Sequence, residues 1–140
     1  MVGPEDSYVK FPALAHSTRL GWRYMSIHDK TSDVDYDSTT NIFFNQFSES
    51  LKRLNPDEMV DETAIQSVLD RLRNDLTAKD VGRLFYRDLV DGVFGLSLID
   101  FNHPENNDFT VATELPYVYE EDSFRPDIIF LLNGIPLAFM

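Results

Sequence analysis

One acidic residue stands where chemistry could be done: Asp127, set between Pro126 and the run Ile128-Ile129-Phe130-Leu131-Leu132. An unbroken apolar run of this length predicts a strand covered on both faces. A carboxylate at the mouth of such a strand can meet solvent, a partner cation or a metal ion. From spacing alone, a lone Asp there is most simply a turn or strand-end residue. Arg125, two positions earlier on the same side of an extended chain, is the cation that would neutralise it. Asn133-Gly134 then separates this run from a second one, Ile135 to Met140. That pattern predicts a hairpin, because a type I′ turn needs positive φ at both central residues and Asn and Gly tolerate it.

The other titratable residues offer less. His16 lies off the centre of its helix's apolar stripe and reads as a surface or boundary histidine. Asp29, Asp33, Asp35 and Asp37 are spaced irregularly in a polar stretch. A calcium loop is rejected there, since no Gly stands at the sharp turn and no bidentate Glu at the end. Cysteine is absent, which excludes disulfides and thiolate metal sites. No phosphate-binding Gly-x-x-x-x-Gly-Lys-Ser/Thr loop, dinucleotide fingerprint, Gly-x-Ser-x-Gly elbow or His-Glu-x-x-His run occurs.

The elements that must position Asp127 divide the chain in two. A helix is expected over residues 7–19, with Phe11, Leu14, Ala15 and Thr18 on one face and Leu20-Gly21 closing it. A short strand is expected over 22–27 and a solvated loop over 28–40. Three helices follow. Phe43, Phe47, Leu51 and Leu54 line the first, and Ile65, Val68, Leu69, Leu72 and Leu76 the second. Val81, Leu84, Phe85 and Leu89 line the third, expected over 78–89 with Thr77 and Asp80 as a capping box. From Val93 the period changes to two. Strands are expected over 93–101 and 109–119, the latter bent or marked as an edge by Pro116, before the hairpin. The expected fold class is α+β, a helical layer followed by a mixed or antiparallel sheet.

A chain of 140 residues with 43% hydrophobic content suits one globular domain with a real core. No apolar run is long enough for a membrane span and no signal-peptide pattern opens the chain, so a cytoplasmic protein is expected. The formal net charge of −12, from 24 acids against 12 bases, is the wrong sign for a stand-alone nucleic-acid binder.

Pro126-Asp127, the two apolar strands and Asn133-Gly134 resemble the nuclease core of the PD-(D/E)XK superfamily, specifically the amino-terminal region of the type I restriction enzyme R (HsdR) subunit. Further landmarks follow in order: Leu20-Gly21-Trp22 with Tyr24, Phe47 with Leu51 and Arg53-Leu54-Asn55-Pro56, Leu89-Val90-Asp91-Gly92-Val93, Ile99-Asp100-Phe101, and Asn106-Asn107-Asp108-Phe109. Each is weak, but the ordered set is specific. The resemblance implies Mg²⁺-dependent phosphodiester hydrolysis, with Asp127 as the catalytic, metal-binding Asp. In the family the second strand runs on into Glu-x-Lys, which supplies the other metal ligand and a charge-stabilising Lys. Met140 falls at about the position where that tripeptide would start. Residues 1–140 are therefore expected to be a single-domain, amino-terminal piece of a larger subunit, idle without the Glu and Lys. Superfamily members often add an acid from the first helix, for which Glu5 and Asp6 are the nearest candidates. The resemblance further implies DNA as substrate, an ATP-driven motor outside these residues, and methylation (HsdM) and specificity (HsdS) subunits as partners. The competing expectations are a non-catalytic acidic docking module, in which Asp127 is only a strand-end residue, and a solitary nuclease without a motor.

Overall fold

The computed structural model describes residues 6–26, 35–37, 39–119 and 122–140. A π-helical turn, Asp6–Lys10, leads into α1 (Phe11–Arg19), and Gly21 at φ 98° takes the chain out of the helix into β1 (Arg23–Met25). The helical layer is α2 (Phe44–Leu54), α3 (Glu62–Thr77) and α4 (Arg83–Val90). The remaining strands are β2 (Phe109–Thr113), β3 (Tyr117–Tyr119), β4 (Asp122–Phe124), β5 (Ile128–Leu132) and β6 (Ile135–Phe139). The main sheet has the order β1-β2-β5-β6, parallel between β1 and β2 and antiparallel elsewhere, while β3 and β4 form a separate ribbon. The α+β expectation, helices before a mixed sheet, is met.

β5 is internal, as its composition requires. Ile128, Ile129 and Leu131 are buried, and successive residues face opposite sides of the sheet. On one side Ile129 and Leu131 pack with Phe43, Ala112 and Leu115. On the other, the Trp22 ring meets Phe109 and Phe130 edge to face, with centroids 5.2 and 5.0 Å apart. Asn133 and Gly134 have φ 51° and 81°, the pair of positive values a type I′ turn demands. The larger core lies among the helices, where Phe47, Leu51, Ile65, Val68, Leu69, Leu72 and Phe85 meet Ile135 of β6. The stripes expected on α2 and α3 are buried at Phe43, Phe47, Leu51, Ile65, Val68, Leu69 and Leu72, with Leu54 and Leu76 at their ends half-buried, and Asp61 caps α3 by accepting from the Ala64 N–H at 2.8 Å.

Four local expectations are corrected. The buried side of α1 is not Phe11, Ala15 and Thr18, which are exposed, but the adjacent line of Lys10, Ala13, Leu14 and Ser17. The sheet edge that α1 leans on is narrow, so a weak stripe does not decide which side turns inward. The third helix starts at Arg83 rather than at 78, because Val81 and Gly82 both take positive φ and break the helical path. Val81 ends fully exposed, and Asp80 caps the new start by accepting from the Leu84 N–H at 2.7 Å.

Residues 93–101 form turns rather than a strand. Gly92 and Gly95 hold positive φ while Phe94 and Leu98 are buried in the helical core. The segment's polar backbone is satisfied by a side chain: Asn55 accepts from Ser97 N–H at 2.8 Å and donates to Ser97 O at 3.0 Å. The fourth correction is at 109–119, where the strand breaks after Thr113 at Glu114, φ 59°, and β3 leaves the main sheet. Most of the polar loop expected over 28–40, with Asp29 and Asp33, lies outside the described residues, as does Glu5.

Candidate active site

Asp127 is exposed at the mouth of β5, and its carboxylate makes no hydrogen bond or ion pair with any described residue. Arg125, also exposed, does not engage it. What fixes Asp127 is its backbone: its carbonyl accepts from the Glu114 N–H at 3.3 Å, the last rung between β2 and β5. One residue further on, Ile128 and Met140 exchange both backbone hydrogen bonds, at 3.0 and 2.8 Å. The position opposite Asp127 on the β6 side is therefore the one that would follow Met140. It would form a non-hydrogen-bonded pair, in which side chains approach closely on a shared face.

Glu114 stands across from Asp127 on the β2 side. Its carboxylate is taken by Lys10, whose Nζ lies 2.7 Å from Oε1, with the two side chains 12% and 37% exposed for Lys and Glu respectively. Among the described residues no group of three or more His, Asp or Glu could hold a metal ion. The donor set fits a hard divalent cation only in part. Asp127 offers one free carboxylate, suited to Mg²⁺, which keeps most of its waters and is usually held by one or two carboxylates with substrate phosphate. His16 is exposed on α1, and Asp6 lies in the π-helical turn.

Sequence reasoning did not anticipate how the polar landmarks are used. They converge at the opposite end of β5, six residues and roughly 20 Å from Asp127. Asn133 is 1% exposed. Its side chain accepts from Asp108 N–H at 2.7 Å and donates to Leu98 O and Asn107 Oδ1, both at 2.9 Å. Asn107 in turn binds the backbone of Asp100, and Arg53 reaches Asn106 O at 3.1 Å. This network knits the hairpin to the loop ahead of β2. Alternation of polar and apolar residues carries no trace of it, although the clustering of Asn and Asp was visible.

Three other carboxylates are structural. Burial alone would raise the pKa of Asp37, but hydrogen bonds from the Thr39 N–H, Arg73 and Thr40 outweigh it and hold the pKa low. Asp37 thereby ties the chain ahead of α2 to α3, with Arg73 Nε 2.7 Å from Oδ2. Asp75 is the opposite case, 3% exposed with Oδ2 unpartnered. Burial and the neighbouring charge of Asp88 push its pKa up. Asp88 itself is held low by hydrogen bonds from Arg71 and Arg87, which outweigh its own burial.

A raised native pKa means that Asp75 contributes stability below its unfolded value of 3.8 and that this is lost as pH rises through the native pKa. Asp75→Asn, which removes the buried charge, is therefore expected to raise the melting temperature at pH 7. The gap from the parent should close in acid, below 3.8. Thermal unfolding followed across that range checks both the sign and the window.

Comparison with known proteins bears on the same residues. The family described as type I restriction enzyme R protein N terminus matches residues 4–140. A Methanocaldococcus jannaschii protein, assigned by its name as the MjaIXP endonuclease subunit of a type I restriction enzyme, is 29% identical over 154 aligned residues. The match covers 96% of this chain and 14% of that protein, so the chain spans a small part of the relative's length. No solved structure matches significantly. Among the described residues no helix is long and apolar enough to cross a membrane. The ordered landmarks, the internal β5 with its Asn-Gly turn, and a family match over nearly the whole chain agree: the chain belongs to the type I restriction enzyme R protein N-terminal family.

Proposed function

We propose that these residues form the Asp-bearing part of the Mg²⁺-dependent endonuclease domain of a type I restriction R subunit, which cleaves foreign DNA. The observation that carries this reading is the placement of Asp127: unpaired among the described residues, exposed, and held by backbone at the mouth of an internal strand. A structural strand-end Asp would be expected to cap a turn or pair with Arg125, and this one does neither.

Asp127 would be the first protein ligand of the metal, which when bound supplies charge neutralisation at the scissile phosphate and an activated water. Asp127 would contribute its negative charge from a backbone position fixed at the end of the sheet. The pairing of Met140 with Ile128 supports a second carboxylate from the following residue, directly across from Asp127, as the Glu-x-Lys pattern requires. The DNA path must be basic elsewhere, because these residues sum to −12. The motor that uses ATP and the methylation and specificity subunits belong to the whole protein on this reading.

The acidic charge favours one alternative, a docking module without catalysis. The full-length protein, assembled with its partner subunits, ATP and unmodified DNA, separates the two. Strand cleavage that needs Mg²⁺ and stops on chelation is expected. Assembly and ATP hydrolysis without cleavage would favour the docking module.

A further inference from the structure

We propose that the cleft between α3 and α4 is a docking pocket for one arginine side chain of a partner polypeptide, seated on the buried carboxylate of Asp75. The cleft has a volume of about 450 Å³ and is lined by Ser67, Asp70, Asn74 and Asp75 of α3 and Leu84 and Asp88 of α4. Asp75 is 3% exposed, and its Oδ2 is enclosed without a hydrogen-bond partner among the described residues. Enclosing a carboxylate costs free energy that only a cation or a set of donors offsets. None of the neighbouring cations meets it. Arg71, which also lines the cleft, gives Nε and Nη2 to Asp88 Oδ2 at 3.2 and 2.7 Å, and Arg87 takes Asp88 Oδ1. Arg73 is divided between Asp37 and Asp70. The local guanidinium groups are spent on other carboxylates, and one buried acid is left over.

The lining selects the guest. Asp70, Asp75 and Asp88 stand there against Arg71 alone, in a chain of net charge −12, so an anion is repelled and a cation attracted. Among the described residues no group of three or more His, Asp or Glu is placed to hold a metal ion, so the cation is organic. A guanidinium suits the cleft better than an ammonium. Its planar fork can give two parallel bonds to one carboxylate with donors left for the other oxygens of the lining, and it is the more weakly hydrated of the two. Leu84 offers an apolar wall for its methylene stem. Burial leads in pushing the Asp75 pKa up, Asp88 and Asp80 add to it, and Arg71 and Arg87 oppose it. A cation in the cleft would reverse that balance. The stability expected of Asp75→Asn measures the same uncompensated charge in the protein without its partner.

The test uses the full-length protein at low salt, where a single ion pair is least screened. The probe is Nα-acetyl-arginine amide, with the neutral citrulline analogue beside it, and binding is read by saturation transfer to the probe's own resonances. Saturation transfer to the arginine probe and none to the citrulline analogue is expected. Asp75→Asn should weaken the binding about tenfold or more, the scale of a lost buried ion-pair partner, while its own melting temperature starts above the parent's. Glu105→Gln removes one exposed charge elsewhere and should bind the probe as the parent does. Equal binding by the parent and Asp75→Asn, or an equal loss in Glu105→Gln, would mean general attraction to an acidic surface and would overturn the proposal. Tighter Asp75-dependent binding of Nα-acetyl-lysine amide or of spermidine would overturn the choice of an arginine side chain. Should Asp75→Asn fail to fold, Asn74→Lys decides, because it places a competing cation at an exposed position of the same cleft. Loss of probe binding in Asn74→Lys supports the pocket, and parental binding overturns it.

Discussion

Gly134→Ala is expected to cost about 3–5 kcal/mol, a large share of the stability of a domain of this size. Two independent penalties add. Gly134 sits at φ 81°, where any residue with a Cβ is strained. In addition, the new methyl would lie 2.7 Å from both Phe43 O and Phe47 N, and 3.1 Å from Phe47 Cα. Those atoms are backbone at the start of α2, where Phe43 N–H also donates to Gly134 O at 2.9 Å. They cannot yield as a flexible side chain would. The turn would have to lift off α2, pulling Ile135 from the helical core and loosening the sheet that holds Asp127. Gly92→Ala serves as the control, since Gly92 has φ 66° but nothing within 4 Å of a Cβ. It should lose only the conformational part, about 1 kcal/mol. Urea unfolding followed by circular dichroism measures both. Equal losses at the two positions would mean that the contact with α2 is not as close as described.

Asn133-Gly134 between apolar runs was readable because the requirement is local: two positive φ values and two strands. The stripes of α2 and α3 were readable because each repeats over several turns against one layer. Legibility failed where a distant partner decides. Phe94 and Leu98 look like strand residues, yet the two glycines before and between them and the Asn55 side chain favour a packed loop. Val81 fits the helical period, but at φ 60° it belongs to the turn between helices. Glu114 is an ordinary alternating residue until its left-handed φ and its bond to Lys10 are seen. The candidate site divides in the same way. Asp127 could be named from its neighbours, whereas Lys10, in the turn ahead of α1, and Glu114, past the end of β2, could not.

In the full-length, partner-assembled protein, Asp127→Ala is expected to abolish strand cleavage while ATP hydrolysis continues. The variant should also fold as the parent does. Asp127 is exposed and its side chain bonds to none of the described residues, so its loss belongs to the class of surface changes worth within about 0.5 kcal/mol. Activity and stability are therefore separable at this position, which is unusual for a residue at the end of an internal strand. The activity loss follows from the ligand count. Mg²⁺ sheds water reluctantly and relies on one or two carboxylates together with phosphate, so on the proposed reading the loss of Asp127 would leave the metal poorly placed. Misplaced charge stabilisation at a reacting phosphate costs on the order of a hundredfold or more. On the same reading residues 1–140 by themselves are expected to hold Mg²⁺ weakly and not to cut DNA, since among the described residues Asp127 alone offers a free carboxylate at the site. Asp127→Asn keeps the shape and removes the charge, and it should match Asp127→Ala in cleavage. Plasmid linearisation and phosphate release, measured on the same preparations, read the two activities side by side. Cleavage at the parental rate by either variant would refute the role given to Asp127, and loss of both activities together would point to failed assembly rather than to a missing metal ligand.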